Sequence, residues 1–350
     1  MTKKSGKKKS NKSKSLIIGL IAAVVILGAG FSLFALFYPN VSYKGDRDKY
    51  LLVHEKNYDA VLDSLKSMDV LKSQAMFRFT AWLLDYPSNV TPGRYQLVKG
   101  EKTLSLVRKL MYGRQSPVRF SFNNVRTKKD LADKVTKHLC MTSDELLSAL
   151  SNPVIFEKYN TNSENIVGLF IPNTYEVYWN ITPEDLIARM KKEYDKFWTD
   201  ERLDKLAECG LSQPEVSTLA SIVEEETRKA DEKPRVAGLY LNRIHKGIPL
   251  QADPTVKFAL QNFSLKRIYR GHLEYDSPYN TYKYAGLPPG PIRVPSIETI
   301  DAVLNFENHD YLYMCAKEDF SGYHNFATTY EEHQANANKY RKKLNQRGIR

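Results

Sequence analysis

One uncharged apolar run opens the hydrophobic pattern: Leu16 to Phe37, twenty-two residues, closed by Tyr38 and Pro39. That length spans the hydrocarbon core of a bilayer as a single helix. Past it the pattern turns mixed. An aromatic-rich helical run covers Ala75 to Leu84 within a membrane-proximal segment over 39–89. A turn at Thr91-Pro92-Gly93 leads into a strand-like RYQLV, then a helix near Leu104 to Met111 that stops at Gly113. PVRFSF alternates as a strand. Asn123 to Leu139 and Ser143 to Leu150 read as helices, the second capped by Thr142 or Ser143 with acids in its first turn. This order of strands and helices predicts a small α/β module over 90–155.

From 156 to 345 the pattern predicts a mixed α/β domain. IVGLFIPNTYEVYW (166–179) is an apolar, aromatic run broken at Pro172-Asn173. PEVSTLASIVEEETRK (214–229) reads as an amphipathic helix with a capping box at Ser212 and Glu215. A second helix runs from Pro234 to Lys246 and ends at Gly247. Asp253 then precedes Pro254 as a natural N-cap. YNTYKYAGLPPGPIRVPS (279–296) carries four prolines, each fixing a backbone angle, so it is a stiff loop and is expected to roof a groove. DYLYMCA and YHNFA read as strands around a Gly322 turn, and a terminal helix covers Tyr330 to Leu344. The fold class is thus α+β behind one N-terminal transmembrane helix.

The 214–229 helix holds the most telling side chain. Val216, Leu219, Ala220, Ile222 and Val223 form its apolar stripe. At about 100° per residue, Glu226 falls about 50° from the centre of that stripe, Glu224 about 110° and Glu225 about 150°. Glu225 is expected to face water, Glu224 the border and Glu226 the buried face. A buried carboxyl disfavours its charged form, which raises its pKa toward the range of a general acid. The plainer alternative is that Glu226 ends the stripe in a solvated last turn or pairs with a base.

Charge settles the expected topology. Residues 1–15 carry seven lysines and no acid, which predicts a cytoplasmic tail and an anchor over 16–38, with residues 40–350 on the outer, periplasmic face of the cytoplasmic membrane. A cleaved signal peptide is the alternative, though no small-x-small cleavage site follows the run. Of the net charge of +12, the tail accounts for seven, and the mildly basic remainder suits an anionic wall polymer or membrane surface better than nucleic acid. Cys140, Cys209 and Cys315 show no CxxC spacing, so core thiols are expected. The seven histidines show no metal-ligand spacing, and neither a glycine-rich phosphate loop nor a GxSxG elbow occurs, so no metal and no cofactor are expected.

Six strings in order, GLFIPNTYEV, LASIVEEET, AGLYLNRIHKGIPLQADPTV, YNTYKYAGLPPGPI, DYLYMCAKEDFSGYHNF and EEHQANANKYR, resemble the endolytic murein transglycosylase family of membrane-anchored wall enzymes. The likeness is dense over 166–341 and weaker over 90–165, where the family has a LysM-like module. It implies cleavage of the MurNAc–GlcNAc β-1,4 bond of peptidoglycan without water, leaving 1,6-anhydro-MurNAc ends. The second acid of the family's V-E-x-E string lands on Glu226 as catalytic, and Glu224 belongs to the same pattern. Action on nascent glycan strands beside synthases and division proteins follows by analogy alone.

Supporting residues stay open between two roles each. Asn242 meets substrate or holds a packing contact. Gln251 and Asp253 contact substrate, or Asp253 caps its helix. Tyr279, Asn280, Thr281 and Tyr282 stack on sugars and bind N-acetyl groups, or pin their own loop. His324 and Asn325 orient Glu226, bind sugar, or are structural, and Glu176 reads as a surface or structural acid. Two other functions compete: a muramidase using Glu224 or Asp253 as second carboxylate, and a non-catalytic wall-binding or scaffold protein.

Overall fold

The computed structural model describes residues 7–265 and 267–347, with side chains from residue 14 onward. Residues 1–6 of the expected basic tail lie outside the described residues. The chain divides into two compact units, one running to Val118 with Glu176–Asn180 added, the other comprising Arg119–Tyr175 and Ile181 onward.

The first unit begins with α1 (Lys7–Phe37), whose apolar side chains from Leu16 to Leu27 are exposed. Its Lys14–Phe37 stretch is long and apolar enough to cross a membrane, a test that signal sequences also pass. Then follow β1 (Lys49–Val53), α2 (Tyr58–Ser67), α3 (Gln74–Leu83), β2 (Gly93–Leu97) and α4 (Thr103–Met111). β1 pairs antiparallel with β2, Leu51 opposite Tyr95. Leu51, Leu65, Phe77, Tyr95 and Leu106 are fully buried in one core. Because β2 finds its hydrogen-bonding partner in β1, the strand and helix at 93–111 share a core with segment 39–89. The stretch 90–155, expected as a LysM-like module, is divided at Val118 between the two units.

Next come β3 (Val118–Ser121), α5 (Lys128–Thr136), α6 (Ser143–Ala149), α7 (Pro153–Tyr159), β4 (Thr174–Val177), α8 (Pro183–Phe197) and α9 (Asp200–Cys209). α5 is shorter than the helix expected over 123–139. Asn124 takes a left-handed backbone, the Val125 carbonyl accepts from Val294, and a reciprocal Thr127–Asp130 box starts the helix only at Lys128. Cys209 is buried, whereas Cys140 is exposed and departs from the expected core thiol. Glu176 lies on the exposed face of β4.

The second unit is completed by α10 (Gln213–Glu226), α11 (Lys233–His245), α12 (Asp253–Ala259), α13 (Arg270–Leu273), α14 (Ile297–Leu304), β5 (Tyr313–Ala316), β6 (His324–Ala327) and α15 (Tyr330–Gln346). α10 packs against α11, α12 and α14. Val216 through Val223 are all buried, so the helix is enclosed on every side instead of presenting one stripe. Its polar interior positions are tolerated because the hydroxyls of Ser217, Thr218 and Ser221 donate to backbone carbonyls of the same helix. The proline-rich loop also departs from its expected place. Ile292 N–H donates to Ser221 Oγ at 3.0 Å, and Gly290 passes so close to Glu164 that a Cβ would stand 2.5 Å from its carbonyl. Most of the loop is thereby strapped along α10, and of its residues only Tyr282 reaches the groove it was expected to roof.

Candidate active site

α10 ends at Glu226, because Thr227 adopts an extended backbone (φ −137°, ψ 140°). Three consecutive glutamates therefore fan out from its last turn into three environments. Glu224 accepts from the Ser296 backbone N–H at 2.7 Å and hydroxyl at 2.9 Å, with Arg293 3.4 Å away. Glu225 is not the solvated residue that the helical wheel predicted: Arg126 reaches it at 2.8 Å and Arg293 at 2.7 Å. The wheel has no knowledge of the loop and the 126 segment that cover this face.

Glu226 alone of the three lines a cavity of about 360 Å³. Its Oε1 accepts a hydrogen bond from the Tyr240 hydroxyl at 3.0 Å. Burial pushes its carboxyl up to about 7, opposed by that hydrogen bond; the Asp253 charge adds to the rise, while His324 and Lys257 act against it. A carboxyl so placed is substantially protonated near neutrality and regains its proton readily, as a general acid must.

Asp253 and Tyr282 line the same cavity, the tyrosine hydroxyl donating to Asp253 Oδ1 at 2.6 Å. Asp253 is not the expected N-cap: Ala252 holds that position and Asp253 is the first residue of α12, which leaves its carboxylate for Tyr282. Gln251 also lines the cavity, from a left-handed backbone (φ 53°) fixed by its N–H donating to the Thr281 carbonyl. Arg243 is 7 % exposed and donates to the carbonyls of Leu250 and Leu312, tying α11 to both neighbouring segments. The opposite wall comes from β5, from His324, and from Tyr330 and His333 of α15.

Other expected residues stand outside the cavity. Asn242 donates to the carbonyls of His309 and Tyr311. Asn280 is fully buried and donates to the carbonyls of Leu273 and Tyr275. Thr281 shares a hydroxyl contact with Thr255 at 2.8 Å, Tyr279 packs on Phe258 with ring centroids 4.7 Å apart, and Asn325 donates to Glu318. These five set the backbone on which Tyr282, Gln251 and His324 are presented.

Sequence reading passed over Tyr240 and Glu232. Tyr240 lies four residues after Val236 and one before Leu241 on a buried helix, so a lone hydroxyl among inward positions was the available signal. Glu232 sits in a single 3-10 turn with no periodicity to report its 2 % exposure.

A family model described as YceG-like matches residues 52–339. The chain belongs to the YceG-like family. Among its relatives, the endolytic murein transglycosylase of Bacillus subtilis (strain 168) is 30% identical over 300 residues, covering 80% of this chain and 81% of that protein. The endolytic murein transglycosylase of Streptococcus pneumoniae (strain D39) is 26% identical over 358 residues, covering 92% of this chain; the chain spans 64% of that relative's length. A 2.6 Å crystal structure of a YceG-like protein from Listeria monocytogenes aligns with a TM-score of 0.55 and 27% identity, over 82% of this chain and 98% of its own.

Proposed function

We propose that this YceG-like chain is a membrane-anchored endolytic murein transglycosylase whose general acid is Glu226. The observation that carries the reading is a single half-buried carboxyl, raised to about 7, at the floor of a polar cavity. Such an acid protonates the glycosidic oxygen leaving C1 of N-acetylmuramic acid. The attacking group is the C6 hydroxyl of the same sugar. Its tether replaces a positioned water, since intramolecular attack carries a high effective molarity. The products are a free N-acetylglucosamine end and a 1,6-anhydro-N-acetylmuramic acid end. α1 holds the enzyme in the cytoplasmic membrane with the lysine tail inside and the second unit outside, where nascent strands are trimmed or terminated. Work beside peptidoglycan synthases and division proteins follows from the same resemblance.

Asp253 in the same cavity favours a second reading, in which it activates a water and the enzyme is a muramidase. Mass spectrometry of purified murein digested by the full-length protein separates the two. Anhydro ends from the parent, with cutting lost in Glu226→Gln, are the expected result. Reducing ends alone mean hydrolysis, and undiminished cutting by the variant removes Glu226 from the chemistry.

A further inference from the structure

A second titratable pair borders the cavity and has no part in the step just described. His324 opens β6, and its side chain, 16 % exposed, lines the cavity with Glu226. Its Nδ1 lies 2.8 Å from Glu232 Oε2, and its backbone N–H donates to Oε1 of the same carboxylate at 2.8 Å. The Thr227 hydroxyl donates a third bond to Glu232 at 3.0 Å. Burial would raise the Glu232 carboxyl, yet these hydrogen bonds together hold it below its ordinary range, so it is ionised. An ionised carboxylate only accepts, so the proton between the two groups sits on Nδ1. Whenever Nε2 is unprotonated it carries the ring's free lone pair, and it has no hydrogen-bond partner among the described residues.

The covalent arrangement ties this pair to the acid. Thr227 directly follows Glu226, so one turn fixes both the acid and the carboxylate that aligns the imidazole. From the other side, His324 is held by β5–β6 pairing, opposite Ala316. A carboxylate orienting an imidazole that lines a reaction cavity is the arrangement of a general base.

Resting on the transglycosylase reading of this site, we propose that His324 is the catalytic base that accepts the C6 hydroxyl proton, with Glu232 as its positioning residue. The bond from C1 to the leaving oxygen breaks as Glu226 gives that oxygen its proton. The C6 oxygen bonds to C1, and its proton passes to Nε2 of His324. The site is left as a Glu226 carboxylate and a His324 imidazolium, and transfer of one proton from the second to the first, directly or through solvent, resets both. The two proton transfers thus fall to two groups, and Glu226 need not reverse its role within a turnover.

The test uses full-length protein in detergent on purified murein, scoring total cuts and the share of anhydro ends between pH 5 and pH 9. His324→Ala is expected to slow anhydro-end formation roughly 100-fold or more. It should also raise the share of reducing ends, because water then competes with an unassisted hydroxyl, and flatten the low-pH limb of the rate. His324→Gln keeps an N–H to face Glu232 but offers no base, and should behave alike with an unchanged melting point. Glu232→Gln should lower kcat more than it changes KM and displace the same limb, with Glu226, Asp253 and His333 all still in place. A folded His324→Gln with the parent's rate, anhydro share and low-pH limb overturns the proposal while leaving the transglycosylase reading intact. A parent that makes only reducing ends overturns both.

Discussion

Replacing Glu226 by glutamine removes a charge that the fold holds at a cost, and stability should report it. The carboxyl stands at about 7 against an ordinary 4.5, which at 1.36 kcal/mol per tenfold corresponds to about 3 kcal/mol. Because Glu226 keeps some exposure to the cavity, that figure is an upper bound. The folded value lies above the unfolded one, so the native state binds the proton more tightly. The resulting stabilisation is complete below pH 4.5 and is lost as the pH climbs through about 7. Glutamine has nothing to titrate. The two proteins should therefore melt together at pH 4 and diverge above pH 8, the variant higher by up to about 3 kcal/mol. For a unit of this size that is roughly 6–12 °C. Thermal unfolding followed by circular dichroism at pH 4, 6, 8 and 9 measures the gap. A gap that is constant across the series, or that closes toward high pH, refutes the burial of this carboxyl. Activity should fall as the pH rises past 7 in the parent, since the acid then arrives without its proton.

Tyr240→Phe removes a hydrogen bond that favours the Glu226 carboxylate, so the high-pH limb of the rate should move upward; a downward move would show that the hydroxyl acts otherwise. Gly238→Ala places a Cβ 2.3 Å from the Glu307 carbonyl and 2.9 Å from His309. It should cost about 1–3 kcal/mol in urea unfolding, and an unchanged midpoint would mean that α11 slides aside freely. Arg293→Ala strips a partner from both Glu224 and Glu225 at the end of α10. A loss of about 2 kcal/mol is expected, and a neutral result would make Arg126 and Ser296 sufficient alone.

Periodicity made the last turn of α10 legible, because Glu226 follows Val223 and Ile222 at helical spacing and the capping pair Ser212–Glu215 sets the register. The same reasoning misplaced Glu225, since its two arginines come from positions 126 and 293, far away along the chain. Asp253 illustrates a second limit. Local rules prefer an aspartate before proline as a cap, but a tyrosine 29 residues later offers it a better partner. The strand RYQLV was legible behind its Thr91-Pro92-Gly93 turn, while its pairing with 49–53 was not. What sequence hides in each case is who meets whom across long separations.

The far wall of the cavity is built from residues 312–333, whereas its acid is residue 226. A polypeptide emerging from N to C therefore carries its glutamate long before it can enclose a sugar. Synthesis order becomes a safety catch: the acid stays blunt until the 312–333 segment has been delivered and folded.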